Sequence, residues 1–122
     1  MVPRITRAAE GAIIAVLLES ARTHGKEAAD RYRLLILTAM QAIGENPGLA
    51  GSAGIPGLPG VRAFMMRSSR FRIEPARRVR SPRHVLVYRV AVDGVVEILA
   101  LVHDRMLLSR AARRAVRDAD RT

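Results

Sequence analysis

The pattern of apolar residues is strongest in residues 84–106, HVLVYRVAVDGVVEILALVHDRM. Val, Ile, Leu and Tyr fill two arms that hold one charged residue each, which is typical of strands inside a sheet. The dipeptide Asp93-Gly94 between the arms suits a two-residue turn, because both central residues of such a turn take positive φ. The sequence therefore predicts a β-hairpin with strands at residues 85–92 and 95–102.

A two-residue turn also fixes which residues face each other across the hairpin. With Val92 opposite Val95, one face is predicted to hold the pairs Val90–Glu97, Tyr88–Leu99, Leu86–Leu101 and His84–His103. The other face is predicted to hold Arg89–Ile98, Val87–Ala100 and Val85–Val102. The first face is bulkier, so we expect it to pack on helices and the face with Arg89 to stay open.

Two segments before the hairpin repeat apolar residues at helical spacing, at residues 7–23 and 26–43. The turn between them is short, which predicts an antiparallel helical pair. A short strand at residues 2–6 precedes them and ends in Thr6, a suitable N-cap. After the hairpin, residues 106–119 predict a last helix with alanines on one side and arginines on the other.

The middle of the chain is less regular. Residues 44–60 hold six Gly and three Pro and predict a long flexible loop, and residues 61–66 are a candidate strand. Residues 67–83 are rich in arginine, and Phe71 and Ile73 alternate with arginines, which predicts an edge strand or an arm.

This order of elements predicts an α+β fold, in which an antiparallel sheet packs against an N-terminal helical hairpin and a C-terminal helix follows. A length of 122 residues predicts one domain.

Positive charge is concentrated in the second half of the chain. Residues 1–61 hold six basic and five acidic side chains, whereas residues 62–122 hold fifteen arginines and six acids. A GC-rich genome would explain the preference for Arg over Lys, but it would not explain the difference between the halves. We therefore expect an anionic partner, either nucleic acid or an acidic protein segment.

Several classes of protein are excluded or disfavoured. The chain has no cysteine, which excludes disulfides and thiolate metal sites. It has no apolar run of about 18 residues and no signal peptide, so we expect a cytoplasmic protein without a membrane partner.

Three stretches resemble the RelE/ParE superfamily of toxins from type II toxin–antitoxin pairs. The second predicted helix, AADRYRLLILTAMQAIGENPG, is similar to the family's helix that ends in an Asn/Pro/Gly loop. The stretch GVRAFMMRSSR resembles the family's entry into the next strand, and RHVLVYRVAVDGVVEILALVHDRM resembles its closing hairpin. The resemblance spans roughly residues 4–110. Residues 67–83 depart from it, because this connection is longer than in ParE-like members.

The resemblance implies a toxin that a cognate antitoxin neutralises. ParE-like members bind DNA gyrase and trap it on DNA, whereas RelE-like members cut mRNA in the ribosomal A site. The pattern HxxxYR…HDRM is closer to ParE, which implies gyrase as the target and no cofactor. A ribosome-dependent mRNA endoribonuclease is the alternative, since one fold hosts both activities. A non-toxic basic nucleic-acid-binding module is a second alternative.

If the protein is a ribonuclease, the reaction needs a base, an acid and positive charge over the phosphate. The candidates near the hairpin are His84, Arg89, His103, Arg67 and Arg105. In the plain structural interpretation, the two histidines are ordinary residues at the end of a strand. A metal site formed by the histidines and Asp104 has less support, because no further ligand has suitable spacing.

A larger set of arginines is predicted to contact the anionic partner. It consists of Arg62, Arg67, Arg70, Arg72, Arg89, Arg105, Arg110, Arg113, Arg114 and Arg117. Four of them form one side of the last predicted helix without an interleaved acid, which favours a contact surface over a solvated face. Tyr88 could stack on a base, although a core position with its hydroxyl at the rim is the simpler interpretation.

Overall fold

The computed structural model describes residues 2–104 and 107–121. Its elements are β1 (Arg4–Ile5), α1 (Arg7–His24), α2 (Lys26–Glu45), β2 (Ser52–Ile55), β3 (Leu58–Met65), β4 (His84–Val90), β5 (Val96–His103) and α3 (Leu108–Asp120). Two short 3₁₀ helices, Met66–Arg72 and Pro75–Arg77, connect β3 to β4. The predicted site residue Arg105 and the predicted start of the last helix at Met106 lie outside the described residues.

The strands form one sheet in the order β1-β5-β4-β3-β2. The short β1 runs parallel to β5, and the other neighbouring strands are antiparallel. The helices α1 and α2 pack on one face of this sheet, and α3 packs on the other face. The predicted α+β fold is therefore confirmed, with its helical hairpin and its C-terminal helix.

The start of α1 and the junction between α1 and α2 follow from local chemistry. The Thr6 hydroxyl accepts a hydrogen bond from the Ala9 N–H at 3.1 Å, as an N-cap does. Gly25 has a φ of 92°, which lets the chain leave α1 and enter α2 at once. On α2, the buried side chains recur at helical spacing: Tyr32, Leu35, Ile36, Ala39, Met40, Ala42 and Ile43.

The predicted two-residue turn is wrong. Ala91 donates to the Val95 carbonyl at 2.9 Å and Gly94 donates to the Ala91 carbonyl at 2.8 Å, so the loop holds three residues and Gly94 takes a φ of 83°. This is a tight turn followed by a left-handed glycine. Near the turn the register is therefore one residue from the prediction, and Tyr88 pairs with Ile98 instead of Leu99.

A β-bulge then restores the predicted register. Leu99 has no partner in β4, because Tyr88 pairs with Ile98 and Val87 pairs with Ala100. Beyond the bulge, the predicted pairs are confirmed: Val87–Ala100, Leu86–Leu101, Val85–Val102 and His84–His103. The predicted pairs closer to the turn are wrong: Val92–Val95, Val90–Glu97, Tyr88–Leu99 and Arg89–Ile98.

The bulge also decides which side chains lie on which face. Tyr88, Leu86 and Leu101 lie in the core beneath α1 and α2, as predicted for the bulkier face. Leu99 lies with Val87 in a second core beneath α3. The expectation that the face with Arg89 stays open is wrong, because α3 covers it.

Three predictions for the middle of the chain need correction. Residues 44–60 are not one loop, because α2 continues to Glu45 and β2 and the start of β3 lie within them. Strand β3 covers Leu58–Met65 instead of residues 61–66. Residues 67–83 contain two short 3₁₀ helices, which end at Arg72 and Arg77, instead of an edge strand, and Ile73 is buried. No described helix is long and apolar enough to span a membrane.

Candidate functional site

Polar side chains meet at the end of the β4–β5 hairpin that lies away from the turn. The Tyr32 hydroxyl of α2 is hydrogen-bonded to Nδ1 of His84. The rings of His84 and His103 meet edge to face with their centroids 5.3 Å apart, because the two residues pair across the strands. Nδ1 of His103 lies 3.2 Å from Oδ1 of Asp104. We call these four residues the tyrosine–histidine cluster.

Burial shifts the pKa values of Tyr32 and His84. Burial is the largest cause that raises the pKa of Tyr32 to about 12. Burial also lowers the pKa of His84 below its usual value, and electrostatic repulsion between His84 and His103 acts in the same direction. The two groups therefore favour a neutral tyrosine beside a neutral imidazole. Such an imidazole can accept a proton, as a general base must.

The remaining candidates for ribonuclease chemistry do not all lie at this cluster. Arg67 follows β3 at the same end of the sheet, where Met65 pairs with Val85. Arg89 lies five residues beyond His84 on the same strand, or about 17 Å away. Its side chain also belongs to the opposite face of the sheet, since strand residues alternate. Arg105 lies outside the described residues.

Arg89 is held by carboxylates at the turn end of the hairpin. Its Nε donates to Glu97 at 2.9 Å and its Nη2 donates to Asp120 of α3 at 2.8 Å. The hydrogen bond with Asp120 is the largest cause that raises the pKa of Arg89, and the hydrogen bond with Glu97 acts in the same direction. Arg4 of β1 extends the network to Asp93 at 3.0 Å and to Glu97 at 3.4 Å. The positive charge of Arg89 is thus balanced within the protein.

The other predicted contact arginines lie in three places. On α3, four of them are exposed: Arg110, Arg113, Arg114 and Arg117. In the 3₁₀ segment, Arg67 and Arg72 are exposed, and Arg70 is half-buried and donates to the Val79 carbonyl at 2.7 Å. On β3, Arg62 is half-buried and donates to the Ser52 hydroxyl at 2.8 Å. The structure therefore does not bring this set into one site.

A groove of about 410 Å³, which we call the β5 groove, lies beside the outer edge of β5. Its floor is the strand from Leu99 to Val102, one wall is α1 at Ala8 and Ala12, and the other wall is α3. Arg110 and Arg114 stand on the α3 wall. Among the described residues, β5 pairs with β1 only at Glu97 and Ile98, so no strand covers the floor of the groove.

The surroundings of Tyr88 agree with the prediction from the sequence, whereas those of Tyr32 were not predicted. Tyr88 is fully buried, and its hydroxyl donates to the Pro47 carbonyl, in accord with the core interpretation. Tyr32 was missed as a polar partner because it lies within the apolar stripe of α2. No group of three or more His, Cys, Asp or Glu side chains in the described part of the chain could hold a metal ion.

Comparison with known proteins identifies the family. The model of the ParE toxin of the type II toxin-antitoxin system, parDE, matches residues 4–108. A solved structure of the chromosomal ParDE TA system from P. aeruginosa is similar, with a TM-score of 0.58 and 23% sequence identity. The match covers 84% of this chain and 95% of that chain and shows a shared fold. No curated protein matches. Because the family model matches most of its length, the chain belongs to the family of ParE toxins of type II toxin–antitoxin systems.

Proposed function

We propose that this toxin forms one domain, acts in the cytoplasm by binding DNA gyrase, and is neutralised by a cognate antitoxin. The observation that supports binding over catalysis is the position of Arg89. It lies far from the two histidines, on the other face of the sheet, and two carboxylates balance its charge. A phosphate at the histidines would therefore not be stabilised by Arg89, whereas arginines exposed on α3 are available to a macromolecular partner.

The test of this mechanism is a variant that removes the acid–base groups and leaves the surface unchanged. Induced expression of the wild type should arrest growth, and the purified toxin should trap cleaved DNA on gyrase. The variant His84→Gln/His103→Gln should keep both effects, because Gln retains polar groups at both positions. Rapid mRNA cleavage without trapped gyrase would overturn the proposal. A soluble protein without any growth effect would favour the non-toxic nucleic-acid-binding module.

A ribosome-dependent endoribonuclease is the second candidate, and the tyrosine–histidine cluster is the observation that favours it. The neutral His84 could take the proton of a 2′-hydroxyl, and His103 beside Asp104 could supply one to the leaving oxygen. For such an enzyme, the double glutamine variant should lose growth inhibition by at least about 100-fold in effective dose, since general acid–base catalysis contributes this much or more. Unchanged toxicity of a folded double variant would reject this candidate.

We propose the β5 groove as the place where an acidic segment of the antitoxin docks. An extended segment could pair with the edge of β5 at residues 100–102, bury the apolar floor, and bring carboxylates to Arg110 and Arg114. Such a complex would combine apolar burial with ion pairs. Salt at about 0.5 M should therefore weaken it only in part, because salt screens charges but does not oppose burial. Complete dissociation at this concentration would contradict the proposal.

A matched pair of charge reversals tests the position of the groove. Arg114→Glu places a negative charge on the wall of the groove and should weaken antitoxin binding by at least about tenfold. Arg117→Glu makes the same change on the same helix, but Arg117 does not line the groove. It should therefore have a smaller effect. Equal loss of affinity in the two variants would show that general charge, and not the groove, holds the antitoxin.

A further inference from the structure

Among the described residues, Phe71 is the only phenylalanine or tyrosine whose side chain lies on the surface. The chain has two tyrosines and two phenylalanines, and the other three are buried in the core beneath α1 and α2. Phe71 is 72% exposed, although the 3₁₀ segment around it is anchored by the buried Met66 and Ile73. The ring is therefore presented by a fixed piece of backbone and contributes little to the core.

Two arginines flank the Phe71 ring. The Cζ atom of Arg70 lies 5.5 Å from the ring centroid, and that of Arg78 lies 5.0 Å from it. The Nε of Arg70 donates to the Val79 carbonyl and the Nε of Arg78 donates to the Ile73 carbonyl, both at 2.7 Å. These bonds orient both guanidinium groups, so a ligand that binds them loses less side-chain entropy than on free arginines.

Charge in this segment is not balanced. Residues 67–83 hold seven arginines and a single acid, Glu74, which lies 4.0 Å from Arg77. Arg83 is 3.8 Å from Asp104. Within residues 2–104 and 107–121, the carboxylates form no ion pair with Arg70 or Arg78. The Nη donors of these two arginines are thus available to an external anion.

We propose that Phe71, Arg70 and Arg78 form a platform that binds single-stranded nucleic acid. An unpaired base would stack on the exposed aromatic and guanidinium planes, and the flanking phosphates would accept hydrogen bonds from the arginines. An acidic peptide would satisfy the arginines but would leave the ring uncovered unless it also brought an apolar side chain. The combination of a flat ring with two oriented cations therefore favours nucleic acid. This inference does not depend on gyrase as the target.

The platform is tested by the binding of a fluorescently labelled oligothymidine of about 15 nucleotides, which fluorescence anisotropy measures. Phe71→Ala should weaken binding by about 5- to 100-fold, the range that loss of one stacked base gives. Phe71→Trp should restore it, and Phe71→Leu should not, because Leu is apolar but has no π face. Val92→Ala, a change at another exposed apolar residue, should leave the affinity unchanged. Because Phe71 is exposed, all of these variants should fold, which circular dichroism can check.

A second pair of variants separates the platform from general electrostatics. Arg78→Gln should reduce affinity more than Arg117→Gln, although both remove one positive charge. Equal effects of the two changes, or a Phe71→Ala variant that binds as the wild type does, would overturn the proposal. Equally tight binding of a duplex of the same length would also overturn it, because paired bases cannot stack on Phe71. Phe71-dependent competition by an acidic apolar peptide would assign this surface to a protein partner instead.

Discussion

The two faces of the central sheet both pack against helices, but the side chains that they bury differ in size. Beneath α1 and α2 the sheet buries large groups, among them Phe64 and Tyr88. Beneath α3 it buries Val87 and Leu99 against the small side chains Ala112 and Ala115. The bulge at Leu99 contributes to both, because it turns Leu99 toward α3 and returns Leu101 to the larger core. One inserted residue thus gives each face a leucine.

The strongest test of this difference compares two leucines that are both fully buried. Leu86 lies in the larger core and Leu99 lies beneath α3. Replacement of either by Ala should lower the free energy of unfolding by about 2–5 kcal/mol, through lost burial and the cavity that remains. Leu86→Ala should have the greater effect, because its rigid surroundings relax less than a single helix of small residues does. Urea denaturation measures both values. A greater loss for Leu99→Ala would show that α3 is the more tightly packed layer.

A smaller effect is expected from the hydroxyl of Tyr88, which is the more deeply buried of the two tyrosines in the larger core. Tyr88→Phe removes the hydrogen bond to the Pro47 carbonyl and keeps the ring. It should lower the free energy of unfolding by about 0.5–1.5 kcal/mol, the usual contribution of such a bond. The midpoint of urea denaturation should shift while its slope stays constant. A neutral effect would indicate that water replaces the lost hydroxyl at Pro47.

The larger core could be predicted from the sequence, and the smaller one only in part. Helical spacing in α2 and alternation in β4 are local patterns, so they identified the buried side chains. The sequence around Leu99 does not indicate the bulge. Leu99 lies in an apolar run, so an apolar side chain would be buried at this position in any register. The Asp93-Gly94 dipeptide fits either a two-residue turn or a three-residue turn that ends in Gly94, and the sequence does not distinguish them.

The contacts of the candidate site could also be predicted from the sequence only in part. The pairing of His84 with His103 was predicted, because the bulge and the longer turn shift the register in opposite directions and cancel beyond Leu99. The contact of His84 with Tyr32 could not be predicted, since it depends on how α2 crosses the sheet. The contact of Arg89 with Asp120 could not be predicted for a similar reason, since Asp120 lies at the end of a helix that was not expected on that face. The contact of Arg89 with Glu97 depends on the changed register near the turn.

The dependence of stability on pH tests the packing of His84 against α2. His84 packs against α2, and burial lowers its pKa below the usual value of 6.5. The unfolded chain therefore binds a proton more readily than the folded one, and the free energy of unfolding should fall as pH decreases through 6.5. His103 and Asp104 act on His84 in opposite directions. The variant His84→Gln should lose this part of the dependence, so its stability relative to the wild type should rise from about pH 7.5 to about pH 5.5. A constant difference over that range would contradict the proposed burial of His84.

The smallest effect is expected where α3 meets the turn end of the hairpin. Asp120→Asn removes the ion pair with Arg89. The Asp120 side chain in this pair is 59% exposed. Exposed ion pairs contribute about 0.2–1 kcal/mol, and salt screens them. The loss should therefore be within this range at low ionic strength and should vanish near about 1 M salt. Asp118→Asn is the matched control, because Asp118 lies on the same helix and its ion-pair partner, Arg121 at 4.0 Å, is also on that helix. If Asp120→Asn cost several kcal/mol and Asp118→Asn cost nothing, the ion pair and not the small apolar core would hold α3 on this face.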